Sequence, residues 1–304
     1  MQRVFHLEGK MTQKQSWKNY LYFLPVAILI AVIFMYPLGY SVFLSFFRHN
    51  LLKPEQTRFI GLGNFTTLFH DSLFAKSLWH GITFTLFSVI FEYLSGLVLA
   101  LCLNSKYARF KNVNKALLML PWAVPIAINS MMWKFLLSPN FGFMNQVLAA
   151  LGVPRAIDRE WLNNIRSVLP TITAINVWRS FPFYTITISA GLMAIPKELY
   201  EAAEIDGAGS VQRFFSITLP GIRITSAVII IFHVIWTFTN FDVIYLLTAG
   251  GPLNASEVLP TLLYRQAFTN FNMGYASSIG LFLFLVLFIT VGPLYSHFVL
   301  KQGE

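Results

Sequence analysis

The sequence predicts an all-α membrane protein with six transmembrane helices and both termini on the cytoplasmic side. Three observations carry this: a charge-poor composition, six apolar stretches of membrane-crossing length, and the placement of Lys and Arg between them. Of 304 residues, 56% are hydrophobic and 12% charged, against about a quarter charged in soluble domains. The mean hydropathy is +0.60. Aromatic residues reach 16%, with 30 Phe, which suits lipid-facing surfaces and interfacial belts. The formal charge of +9 is spread around apolar runs, so lipid headgroups and an acidic partner are expected rather than nucleic acid. A single cysteine, Cys102, excludes an internal disulfide framework and a thiolate metal cluster.

A helix crosses the hydrocarbon core in about 20 apolar residues, because unpaired backbone groups cannot be left in lipid. In chain order the spans are 20–46, 78–103, 116–137, 168–194, 225–248 and 276–300, flanked by cytoplasmic segments 1–19 and 301–304. Arg3, Lys10, Lys14 and Lys18 precede the first span in the manner of a secretory signal. A signal's apolar region runs only about 7–15 residues, so this one reads as an uncleaved span. The fourth span is expected to be interrupted near Pro182, whose missing N–H frees a carbonyl. The predicted inner side holds twelve Lys and Arg and the outer side eight, with Lys134 and Arg179 inside spans. The short connection Asn104–Lys115 carries four bases and no acid, which places it, and both termini, in the cytoplasm.

The connection 197–224 breaks that charge rule. Glu198, Glu201, Glu204 and Asp206 cluster on the side where bases are expected. Leu199, Ala202, Ala203 and Asp206 fit one helical face, with Gly207 as the stop. Phe214, Phe215, Ile217 and Leu219 form a second short amphipathic piece ended by Pro220-Gly221. Two short helices hinged at glycine would present a knob at the cytoplasmic face.

Glu201-Ala202-Ala203, Asp206-Gly207-Ala208 and Ile217-Thr218-Leu219-Pro220 together resemble the EAA loop of bacterial ABC-importer permeases. Trp178–Phe183, Asn240-Phe241-Asp242, Leu246–Pro252 and Phe59–Phe65 are similar to segments of the maltose- and trehalose-type branch, on the side of the larger maltose permease subunit. The resemblance implies the type I ABC-importer permease fold and residence in the bacterial cytoplasmic membrane. It makes 20–300 a permease domain with 197–224 as the coupling loop. It implies three partners: a second homologous permease, an ATPase dimer docked on the loop, and an extracytoplasmic solute-binding protein. Glu201, Ala202, Ala203 and Asp206 would lie at the docking face, with Gly207 making the turn.

For the substrate, the resemblance implies a cavity lined by the segment around Arg179, Ser180 and Phe183 and by Trp236, Thr237 and Asn240. Arg179 would offer a donor fork to sugar hydroxyls and Phe183 a stacking face. The alternatives are Arg179 paired with Glu92 or Asp242, and Asn240 acting as interhelical hydrogen-bond glue. Glu92 and His80 read as bundle-internal, Lys134 as a snorkelling base, and Gly250-Gly251-Pro252 as an outer turn. No G-x-x-x-x-G-K-[ST] loop occurs. The chain is therefore expected to have no catalytic residues, metal or cofactor of its own, with ATP and Mg bound by the ATPase partners. The favoured cargo is a trehalose- or maltose-like sugar. An acidic sugar, glycerol phosphate, an ion-coupled carrier, and an intramembrane enzyme using His80 or His233 are the competing readings.

Overall fold

The computed structural model of the protein describes residues 22–105, 108–139, 141–153 and 159–298. The expected terminal segments 1–19 and 301–304, with their bases, and Lys106 and Arg155 lie outside these described residues. The chain divides into two compact units, residues up to Leu68 with Gln266–Leu281, and Phe69–Arg265 with Phe282 onward.

The first unit opens with α1 (Tyr22–Ser45), whose most apolar window has none of its residues buried within the chain. A short hairpin of β1 (Phe47–Arg48) and β2 (Arg58–Phe59) pairs Phe47 with Phe59, and α2 (Gly63–His70) follows. Asn64 Nδ2 donates to the carbonyls of Ser45 at 2.8 Å and Phe47 at 2.9 Å. The Phe59–Phe65 segment thus stitches the end of α1 to the hairpin.

The second unit is built around α3 (Ser72–Asn104). This helix begins before the expected residue 78 because Asp71 caps it, accepting from the Leu73 N–H at 2.8 Å. The third expected span is two helices, α4 (Lys111–Ala123) and α5 (Ile126–Leu136), bent by 87°. The cause is local: Val124 precedes Pro125 and is held extended, with ψ 127°. After α6 (Phe143–Ala150) comes α7 (Val168–Met193), which runs unbroken through Pro182. The expected interruption of the fourth span is therefore absent. It lies instead in the fifth, where α10 (Arg223–Phe238) and α11 (Asp242–Thr248) are separated at residues 239–241.

Between them the 197–224 connection forms α8 (Lys197–Ile205) and α9 (Ser210–Gly221), the latter bent by 62° from α10. α12 (Leu259–Tyr264) and α13 (Met273–Phe298) complete the chain. Among the described residues, Tyr22–Ser45, Ser72–Asn104 and Met273–Pro293 are long and apolar enough to cross a membrane. Counting the α4–α5 and α9–α10 pairs as spans raises this to five. α7 has the length, but Thr171, Thr173, Asn176, Arg179 and Ser180 dilute its apolar character.

α3 and α7 pack along each other, and Gly96 lets them approach, since a Cβ there would collide with Tyr184. One core joins Phe84, Ile172, Val243 and Ile244; another joins Leu97, Ala100, Tyr184, Ile188, Ile222 and Ile229. In lipid such cores stabilise through close packing rather than water exclusion. The turn after α11 is closed by Glu257, fully buried and paired with Arg265, which also donates to Asn254 Oδ1 at 2.7 Å. Burial pushes the Glu257 carboxyl above the usual range, and the Arg265 charge opposes that rise. Gly250, at φ +88°, leaves room for this carboxylate where a Cβ would clash.

Candidate functional site

The α8–α9 knob is closed by glycine chemistry. Gly207 has φ +78°; its N–H donates to Glu204 O at 3.1 Å, and the Ala208 N–H to Ala203 O at 2.8 Å. These two bonds form the Schellman arrangement that satisfies the last carbonyls of a helix, and it requires a left-handed residue at Gly207. The inner side of the knob is anchored. Tyr200 and Thr218 share a 3.0 Å hydrogen bond, and Tyr200, Phe214 and Ile217 pack on the core around fully buried Ile222.

The outer side is charged and exposed. Glu201, Ala202 and Asp206 are exposed and Ala203 is half-buried. Leu199 and Ile205 are exposed too, at 50% and 87%. The side of α8 that faces the bundle carries Tyr200. Arg213 and Glu204 form an exposed ion pair at 3.1 Å.

A buried hydrogen-bond chain crosses the helices at another level. His233 Nδ1 on α10 lies 3.0 Å from Glu92 Oε2 on α3. Asn176 Nδ2 on α7 donates to Glu92 Oε1 at 2.9 Å, and Ser180 is a further partner of the same carboxyl group. Asn240 Nδ2 donates to Asn176 Oδ1 at 3.4 Å, and Asn240 Oδ1 accepts from the Val243 N–H at 3.2 Å. Asn240 therefore supplies one orphan N–H of α11 with a partner, exactly where the fifth span breaks in two.

Five of the six expected substrate residues fall into two sets, and Arg179 stands apart from both. Ser180, Thr237 and Asn240 are buried, with Ser180 and Asn240 inside the polar chain. Phe183, Phe232 and Trp236 form a stacked aromatic ladder, with centroid separations of 6.1 and 5.8 Å; Trp236 is 53% exposed. Arg179 makes no ion pair with Glu92 or Asp242 among the described residues. Glu92 is already bound by Asn176 and His233, which corrects that pairing. The Arg179 Nε is buried without a hydrogen-bond partner. Glu92 is bundle-internal as expected, and Lys134 is exposed in the last turn of α5. Sequence reasoning missed Asn176. Its spacing of four from Ser180 puts both on the α7 face toward Glu92, the one signal that was available.

Residues 92–300 match the family described as binding-protein-dependent transport system inner membrane component. The chain is 35% identical over 273 residues to the probable ABC transporter permease protein YurN of Bacillus subtilis, covering 90% of this chain and 91% of that one. It is 34% identical over 290 residues to the trehalose/maltose transport system permease protein MalF of Thermococcus litoralis, covering 94% and 95%. Its fold matches a chain in the crystal structure of a bacterial ABC transporter that imports the acidic polysaccharide alginate. The TM-score is 0.80 at 26% identity, covering 93% of this chain and 96% of that one.

Proposed function

The chain belongs to the binding-protein-dependent transport system inner membrane components, and on that premise we propose how it is powered and what it carries. It is a multi-pass, non-catalytic permease subunit of a sugar-class ABC importer. Six spans with both termini in the cytoplasm would place α8–α9 inside the cell. A second homologous permease and an extracytoplasmic binding protein would complete the pathway. ATP and Mg would sit on a docked ATPase dimer.

The carrying observation is the two-sided knob. Its accessible surface bears Glu201, Ala202 and Asp206, while Tyr200, Phe214 and Ile217 seat it on the ends of α3, α7 and α10. ATPase closure that displaces the knob is passed to those helices, and the cavity alternates between outward and inward access. Differential contact of the two ATPase states with the knob supplies the bias.

The cargo is a trehalose- or maltose-like sugar, with Trp236 and Phe183 offering aromatic faces and Arg179 a guanidinium. An acidic solute is the second reading, favoured by the Arg179 guanidinium, which has no ion-pair partner among the described residues. The test is uptake by the assembled importer with Arg179→Ala. A loss of sugar uptake with normal ATPase copurification is expected. Unchanged rate and half-saturation would remove Arg179 from the pathway, and loss confined to anionic solutes would select the second reading.

A further inference from the structure

A cavity of about 930 Å³ opens at the end of α7 remote from the α8–α9 knob, lined by Trp133, Trp161, Arg159, Asn164, Arg166 and Thr171 among others. From Thr171 to the last residue of α7 the helix rises roughly 33 Å, so the cavity is well separated from the docking surface. It is built from groups that none of the preceding roles use.

Trp161 is held rigidly. Its Nε1 donates to Asn145 Oδ1 at 2.6 Å, and the Arg159 guanidinium lies over its ring, 4.4 Å from the centroid. Trp133 packs edge-on against Trp178 at 5.3 Å, and its own Nε1 is buried without a hydrogen-bond partner. Arg166 is exposed, with no ion pair among the described residues. The α7 wall continues inward in helical steps. Thr171 and Ile175 line the cavity, and the next position on that face is Arg179.

We propose that this cavity is an outer carbohydrate subsite, where a glycosyl unit released from the binding protein rests before passing to the level of Arg179. Fixed indoles suit the C–H faces of a sugar ring, and guanidinium and amide groups suit its hydroxyls. An apolar acyl chain would not use Arg166 and Asn164. The inference rests on the sugar-importer reading.

The experiment uses the full importer in lipid nanodiscs, with Cys102→Ser and with Glu160→Cys at an exposed position of the cavity wall, and a hydrophilic maleimide. Trehalose and maltotetraose are the probes. At a sugar concentration about twice the dissociation constant, labelling slows about threefold. Arg166→Gln and Trp161→Ala abolish this protection, Trp161→Phe restores part of it, and Arg179→Ala leaves it in place. Arg166 is exposed, so that arm stands even where Trp161→Ala fails to fold. Uptake of both sugars is measured in parallel. No uptake of either defeats the transport reading, whereas uptake without protection defeats the subsite alone. Labelling that responds to anionic lipid content but not to sugar assigns the cavity to a headgroup and overturns the proposal.

Discussion

Gly207 and Asn176 show how different the reasons for one residue type can be. A Cβ at Gly207 would meet no atom within 4 Å, so a substitution there is resisted by backbone conformation and not by space. Gly207→Ala should cost about 1–2 kcal/mol in the local turn, and Gly207→Val more because its branched Cβ tolerates positive φ poorly. We expect Gly207→Val to insert normally in membranes but to abolish uptake; normal uptake would show that the turn does not transmit force. Asn176 is constrained by its partners. Asn176→Leu leaves Glu92 Oε1 and the Asn240 amide short of a bond, at about 1–3 kcal/mol for each buried orphan. A lowered thermal midpoint in detergent is expected, and an unchanged one would mean the chain of bonds is not stabilising.

Among elements, the α8–α9 knob is held by buried contacts and merely decorated by its surface ion pair. Arg213–Glu204 is exposed, and such pairs contribute about 0–1 kcal/mol. Tyr200 combines a hydrogen bond to Thr218 with packing on the Ile222 core. Tyr200→Ala should therefore uncouple ATP hydrolysis from uptake, while Arg213→Ala should leave the ratio of sugar moved to ATP hydrolysed nearly unchanged. Equal effects would place the anchor elsewhere. The α10–α11 break belongs to the same scale. Thr239 and Asn240 end one helix, and Asn240 begins the next by accepting from Val243.

For the whole molecule, the proposed orientation puts the α8–α9 knob in the cytoplasm. A Ser210→Cys variant should react with a membrane-impermeant thiol reagent in inside-out vesicles and not in intact cells; the reverse pattern would invert the topology. An apolar helix with no buried residue in its central window, as in α1, must be covered by lipid or by another subunit.

The amino-acid sequence by itself determined the membrane class, the acidic connection with its stop at Gly207, and the family resemblance. Each of these depends on composition, local periodicity or a short motif, which neighbouring elements do not alter. Only the tertiary structure decided which helix is interrupted and what Glu92 binds. Pro182 signalled a break in α7 that packing against α3 and α4 does not require, while the break at Asn240 depends on partners far away in the chain. The pairing of Arg179 with Glu92 looked plausible because opposite charges attract. The fold instead delivers Asn176, Ser180 and His233 to that carboxyl group. Periodicity gave the helical form of the knob but not its anchor, the Tyr200 ring, which packs on the core. How far a side chain reaches, and what meets it from another helix, is a property of the assembled bundle.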